Sequence, residues 1–244
     1  MGRWYSAAQA AVDIMWHLVI EPEHGYSQGI ERYGNDGRCM VESQGFTFTF
    51  PSGDRDCSWS VREVWNLALL PTKYKGALDG ATYTGNMYDA FVYSGLFEPW
   101  YTWETIAQPG DVYLTHIEGG FQHTALCLSS EPDLLGEFSI NEFGGIVGGR
   151  TGDQTGWESR ACEYYDPGWV YTLHYNGKAD FYMDDNYIKE IRDGLFETHV
   201  SDCPGDTSIT STKNRIDWID YRVTRILENQ ERILNAIAET RKGE

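Results

Sequence analysis

Along the first twenty residues the apolar positions Ala7, Ala11, Ile14, Met15, Leu18 and Val19 return every three or four places, the spacing that lines one face of an α-helix. Residues 5–20 are therefore predicted to be an amphipathic helix, with Pro22 just past its end. Residues 25–55 are rich in Gly, Asp and Asn and read as loop, apart from the alternating run F-T-F-T-F at 46–50, which reads as extended. The helical period then comes back: Val61, Val64, Trp65 and Ala68 stand at i, i+3, i+4 and i+7 behind D-R-D-C-S-W-S. That predicts a buried helix starting near Cys57, with Asp54 or Asp56 as its cap. A further short helix is expected over Asn86 to Gly95.

Downstream the period falls to two. Pro109-Gly110 leads into D-V-Y-L-T-H and Gly119-Gly120 into F-Q-H-T-A-L-C-L-S, two strands expected to form a hairpin. L-G-E-F-S-I-N at 135–141 alternates again, and W-V-Y-T-L-H-Y at 169–175 reads as the last strand. Helices followed by a run of antiparallel strands predict an α+β fold. The glycine-rich stretch 143–156 lacks the G-K-[ST] that a phosphate-binding loop needs, so it reads as a surface loop beside the site.

After a polar, acidic stretch the period changes to seven. Ile209, Ile216, Val223, Gln230 and Ile237 occupy one heptad position and Thr212, Ile219, Ile226, Ile233 and Thr240 the other, which predicts a coiled coil. Leu227 and Leu234 widen the apolar stripe, as in a helix folded back on a body. Isoleucine at both core positions favours three or more strands, with Gln230 fixing register. The expected organisation is a body at 1–176, a linker with a short helix at 177–206 and a coiled-coil helix at 207–244, through which the chain is expected to form a homo-oligomer.

Composition narrows the function classes. The 244 residues carry a formal charge of -18, which argues against binding to nucleic acid or to an anionic membrane. Residues 207–244 hold seven Lys/Arg and six Asp/Glu, so the preceding residues hold 12 against 31, and the acidity belongs to the body. Five cysteines without a C-x-x-C pair argue against a disulfide framework or a zinc cluster of ligands close in sequence. No stretch reaches 18 apolar residues, and Gln9, Asp13 and His17 interrupt the N-terminal segment, so neither a membrane span nor a signal peptide is expected.

The candidate chemistry centres on Cys57. A cysteine attacks as thiolate, and the positive end of a helix favours that form. Of six histidines, His123 opens the more apolar strand of the predicted hairpin and is the favoured base, whereas mid-strand His174 suits a satisfied core residue. The next strand offers Glu137, Ser139 and Asn141 on one face, and either Glu137 or Asn141 can orient the imidazole.

The ordered set GYSQ (25–28), DCSWSV (56–61), PGDV (109–112) and HTAL (123–126), followed by a strand bearing a polar residue, resembles the papain-like cell-wall amidohydrolases of the CHAP and NlpC type. Bacteriophage peptidoglycan hydrolases are the most similar group, over about residues 5–176. The resemblance implies Cys57 as nucleophile, His123 as base and Glu137 as orienter, with Asn141 as the alternative; Tyr26 matches the tyrosine that lies near the cysteine. Trp59 stands where a small residue often follows D-C-S, and Glu137 where His, Asn or Gln is frequent.

The expected activity is therefore a phage-type lysin that hydrolyses an amide of bacterial peptidoglycan through a thioester, stored in the host cytoplasm without a signal peptide. The alternatives are an acyltransferase or transglutaminase on the same scaffold, and a non-enzymatic wall-binding or virion protein with an inactive body. Tyr26, Asp56 and Trp59 are assigned to substrate binding, and Trp65, Tyr83, Tyr88, Trp100 and Trp103 are further rings available for stacking or for the core. No cofactor or resident metal is expected. Y-G-N-D-G at 33–37 offers oxygen ligands for calcium but lacks the full acidic spacing of a calcium loop, and a turn is expected there.

Overall fold

The computed structural model describes residues 3–21, 23–34, 36–116, 121–140, 151–153 and 156–183. The expected coiled coil at 207–244, most of the expected linker, Asn141 and most of the glycine-rich stretch lie outside the described residues.

The first helix, α1 (Ala7–Ile20), begins at Ser6, whose hydroxyl accepts the N–H of Gln9 at 3.4 Å, satisfying one of the donors that a helix start leaves unpaired. Ala7, Ala11, Ile14, Met15 and Leu18 are all fully buried, so the stripe read from the sequence is the buried face. The second helix, α2 (Cys57–Ala68), buries Val61, Val64, Trp65 and Ala68 as the spacing predicts. Trp65 is held in place by its indole N–H, which donates to the Gly110 carbonyl at 3.1 Å. The third helix, α3 (Thr84–Tyr93), starts two residues before Asn86. The Asn86 carboxamide accepts the N–H groups of Thr82 and Tyr83 and so caps the helix from inside its first turn.

Two small antiparallel ribbons flank the main sheet. The strands β2 (Arg38–Ser43) and β3 (Phe46–Pro51) form a hairpin; β3 contains the extended run expected at 46–50, whereas β2 falls where a loop is expected. Strand β1 (Arg3–Tyr5) precedes α1 and pairs with the last described element, β10 (Phe181–Met183). Asp180 ties the two ends together, accepting the Ala7 N–H at 2.9 Å and the Tyr175 hydroxyl at 2.8 Å. The paired body therefore runs through Met183, and residues 177–183 belong to it rather than to a linker.

The main sheet has six strands: β4 (Phe97–Tyr101), β5 (Val112–His116), β6 (Gln122–Ser130), β7 (Asp133–Phe138), β8 (Ser159–Glu163) and β9 (Tyr171–Tyr175). Their order is β4-β9-β5-β6-β7-β8, and every pairing is antiparallel. The fold is thus α+β, as expected. The predicted hairpin is β5–β6, with Val112 opposite Leu126 and Leu114 opposite Thr124. The two strands that the sequence did not reveal, β4 and β8, are the sheet's edges; β4 buries only Phe97 and carries Pro99, a residue tolerated at an edge because it has no N–H to donate.

The helices α1 and α2 lie against one another and against β6 and β7, and α1 also reaches the edge strand β8. Contact is close at Gly136 of β7, where any Cβ would come within 2.7 Å of Met15 Cγ on α1. This packing fixes the start of α2 relative to β6 and β7. Among the described residues no helix is long and apolar enough to cross a membrane.

Candidate active site

The chain turns into α2 at Asp56, whose carboxylate accepts the Trp59 N–H at 2.7 Å and the Ser58 hydroxyl at 2.9 Å. Asp56, not Asp54, is therefore the cap. The other Asp56 oxygen pairs with the Arg32 guanidinium at 2.8 Å. Asp54 braces the approach instead, accepting the N–H groups of Gly25 at 3.1 Å and Gly152 at 2.8 Å. The end of the glycine-rich stretch thus reaches back to a point three residues before Cys57, the first residue of α2.

Cys57 is 7% exposed and borders a cleft of about 350 Å³, which Tyr26, Gln28, Arg32, Tyr83 and Gln122 also line. The His123 ring lies within hydrogen-bonding reach of Cys57. Its Nε2 is 2.7 Å from Glu137 Oε2 on the next strand, which leaves Nδ1 for the sulfur. Period-two alternation explains the meeting: His123, Ala125 and Cys127 share one face of β6, and Leu135 and Glu137 face the same way on β7.

Glu137 is fully buried, and such a carboxylate persists only when every oxygen is occupied. Arg160 on β8 supplies two donors, Nε at 2.7 Å and a terminal nitrogen at 2.6 Å, both to Oε1. The Tyr165 hydroxyl donates to Oε2 at 2.7 Å. Burial alone would raise the Glu137 carboxyl, but His123, Tyr165 and Arg160 outweigh it and hold the group down at about 2. Burial alone would likewise lower His123; its contacts with Cys57 and Glu137 reverse this and hold the ring up at about 9. Trp169 stacks on the imidazole, with centroids 5.5 Å apart and planes 20° from parallel.

Of the sequence-predicted site residues, the structure brings Cys57, His123, Glu137 and Tyr26 together. Tyr26 is 4% exposed, and its hydroxyl accepts from the Gln28 carboxamide at 3.0 Å; burial and the neighbouring Cys57 push the phenol well above its usual range. Asp56 borders the cleft, but its oxygens are committed to the helix start and to Arg32. Trp59 departs from its expected place: it does not line the cleft, because its ring is held between Arg62 at 4.4 Å and the edge of Tyr33 at 4.6 Å. Asn141 lies outside the described residues.

Among the other rings, Trp65 is core, Tyr83 lines the cleft, and Trp100 and Trp103 are exposed around β4. Around the 33–37 stretch, where a turn is expected, the Asp36 N–H donates to Ser52 O at 3.1 Å and Gly34 and Gly37 have positive φ, while Asn35 lies outside the described residues. Sequence reasoning missed Arg160, Tyr165, Trp169 and Arg32. In a second histidine–carboxylate pair, His174 Nδ1 lies 3.0 Å from Asp111 Oδ2, and Asp111 also takes the N–H groups of Gln108 and Tyr175 and so anchors β9 beside β5. Compared with protein-family models, with curated proteins and with solved structures, the chain has no significant match.

Proposed function

We propose that the protein is a cysteine amidohydrolase with a papain-like body of the CHAP and NlpC type, acting on an amide of bacterial peptidoglycan as a phage-type lysin does. The observation that carries the proposal is the grouping of Cys57, His123 and Glu137, with His123 beside the thiol and hydrogen-bonded to Glu137 at 2.7 Å, at a helix start beside an open cleft. A nucleophile, a base and a buried orienter in contact form the arrangement that acyl transfer through cysteine requires.

His123 takes the Cys57 proton, and the thiolate adds to the amide carbonyl carbon. The oxyanion is held by the N–H of Cys57 at the positive end of α2, because Asp56 already occupies the N–H of Trp59. Collapse breaks the C–N bond as His123 returns its proton to the departing amine. Water, deprotonated by His123, then cleaves the thioester, and a new carboxylate leaves. Glu137 keeps the ring in one tautomer and stabilises its charged form throughout.

A stem peptide, rich in amides and carboxylates, suits a cleft that offers the Gln28 and Gln122 carboxamides, the Arg32 guanidinium and the Tyr83 ring. The test is release of soluble fragments from purified Gram-positive peptidoglycan. The wild-type chain solubilises the wall and Cys57→Ala does not; equal release by both, or by neither, contradicts the proposal.

A further inference from the structure

A second constellation lies among α1, the segment that follows it and β2. His17, His24 and Cys39 place three ligand atoms within 4.8 Å of one another. His24 is fully buried and Cys39 is 8% exposed. Nε2 of His17 and Nε2 of His24 are both buried, and neither has a hydrogen-bond partner among the described residues. Two orphaned imidazole nitrogens beside a thiol are a costly arrangement unless something else joins them.

The details favour a cation. Among the described residues, all the hydrogen-bonding neighbours of the His24 ring are on Nδ1: the Gly53 carbonyl at 3.1 Å, and the Gly53 N–H and Arg55 Nη1 at 3.3 Å. With the ring proton on Nδ1, donated to Gly53 O, the Nε2 lone pair is available to a cation. A cation bound there gains the two nitrogens and the sulfur. Glu23 Oε1, on a half-exposed side chain 3.9 Å from His24 Nε2, stands at the open side.

We propose that His17, His24 and Cys39 bind one divalent transition-metal ion, zinc foremost, with Glu23 or water at the fourth position. Imidazole and thiolate together suit this borderline-soft class and not calcium or magnesium. Zinc bonds of about 2.0–2.1 Å to nitrogen and about 2.3 Å to sulfur set tetrahedral donors about 3.3–3.7 Å apart, a contraction that small side-chain rotations supply. Binding breaks the Cys39 S–H bond, releases one proton to solvent and involves no change of oxidation state.

The site would tie α1 to the β2–β3 hairpin and to residue 24. Residues 25–27 pair with Arg55 just ahead of the Asp56 cap, through Arg55 N to Gly25 O at 3.0 Å and Ser27 N to Arg55 O at 3.2 Å. The ion is thus a clip on the segment that carries Tyr26, separate from the Cys57 chemistry.

The test is titration of the reduced, chelator-stripped full chain with cobalt(II) and, separately, with zinc. One equivalent of cobalt should give tetrahedral d–d bands with a thiolate charge-transfer band, unchanged in Cys57→Ala and lost in Cys39→Ala. Zinc at a hundredfold excess over its Kd should raise the wild-type Tm by roughly 5–10 °C and leave that of Cys39→Ala unmoved. Should Cys39→Ala fail to fold, His17→Gln, at a half-buried position, serves in its place and should bind at least tenfold more weakly. Absence of one-equivalent binding by the wild type, or bands that survive Cys39→Ala or vanish in Cys57→Ala, overturns the proposal.

Discussion

His123 Nε2 and Glu137 Oε2 meet at 2.7 Å on neighbouring strands, and the carboxylate in that contact is fully buried. A buried anion that faces an imidazole from one side and Arg160 from the other is a fixed charge, able to hold the ring protonated after it has taken a proton from sulfur.

Glu137→Gln removes that charge and keeps the shape. The kcat/KM for wall fragments should fall roughly 10²–10⁴-fold, the range expected when an orienting carboxylate is neutralised. The alkaline limb of the pH–rate profile, which His123 should place near 9 in the wild type, should move down by about one to two units. An unmoved limb would show that Glu137 does not act on the ring.

Arg160→Met leaves the Glu137 carboxylate without two of its donors. Breaking a buried pair of this kind costs about 2–4 kcal/mol at neutral pH, reduced somewhat because the Arg160 side chain is partly exposed. The pH dependence gives a sharper check. Glu137 is depressed from 4.5 to about 2 in the folded chain, so its contribution is present above about pH 4.5 and is lost as pH falls through 2. His123 is raised from 6.5 to about 9, so its contribution is present below about pH 6.5 and is lost as pH rises through 9. Unfolding free energy from urea titrations should therefore plateau between about pH 4.5 and 6.5. In Arg160→Met the acid side of that plateau should flatten; parallel curves for the two proteins would contradict the assignment.

The cysteines should differ in reactivity. Burial pushes the Cys39 and Cys162 thiols up to about 11 and Cys127 up to about 12, whereas Cys57 borders the cleft and has His123 beside it. Brief iodoacetamide treatment at neutral pH, followed by peptide mass spectrometry, should label Cys57 ahead of these three. The preference should vanish in His123→Ala.

Asp56→Ala removes the α2 cap and the partner of Arg32. A loss of about 1–2 kcal/mol is expected, read as a lower urea midpoint at constant m. Asp56→Asn, which still accepts the Trp59 N–H, should lose about half as much. Equal losses would mean that the cap contributes little.

How much of this was legible in the sequence depended on how each segment is buried. The faces of α1 and α2 were readable because apolar residues recur at helical spacing along the buried side of each, and the β5–β6 hairpin because it runs through the middle of the sheet. Edge strands β4 and β8 lack that two-sided burial and left no alternation. Strand β2 did carry a period-two pattern, Cys39, Val41 and Ser43 inward, but the surrounding Gly and Asp masked it. Cys57, His123 and Glu137, which the fold brings together, could be picked out because each sits at a patterned position. Arg160 and Tyr165 were not: their role arises only from β8 lying beside β7, a pairing that residue spacing does not encode.

If Cys57 opens an amide by forming a thioester that water then resolves, the oxygen of that water ends in the product. The most direct measurement is mass spectrometry of fragments released from defined peptidoglycan in ¹⁸O-labelled water. The wild-type chain should place one ¹⁸O in each new carboxyl group, and Cys57→Ala should give no product. Products without the label, or labelled products formed equally by the Cys57→Ala chain, would contradict it.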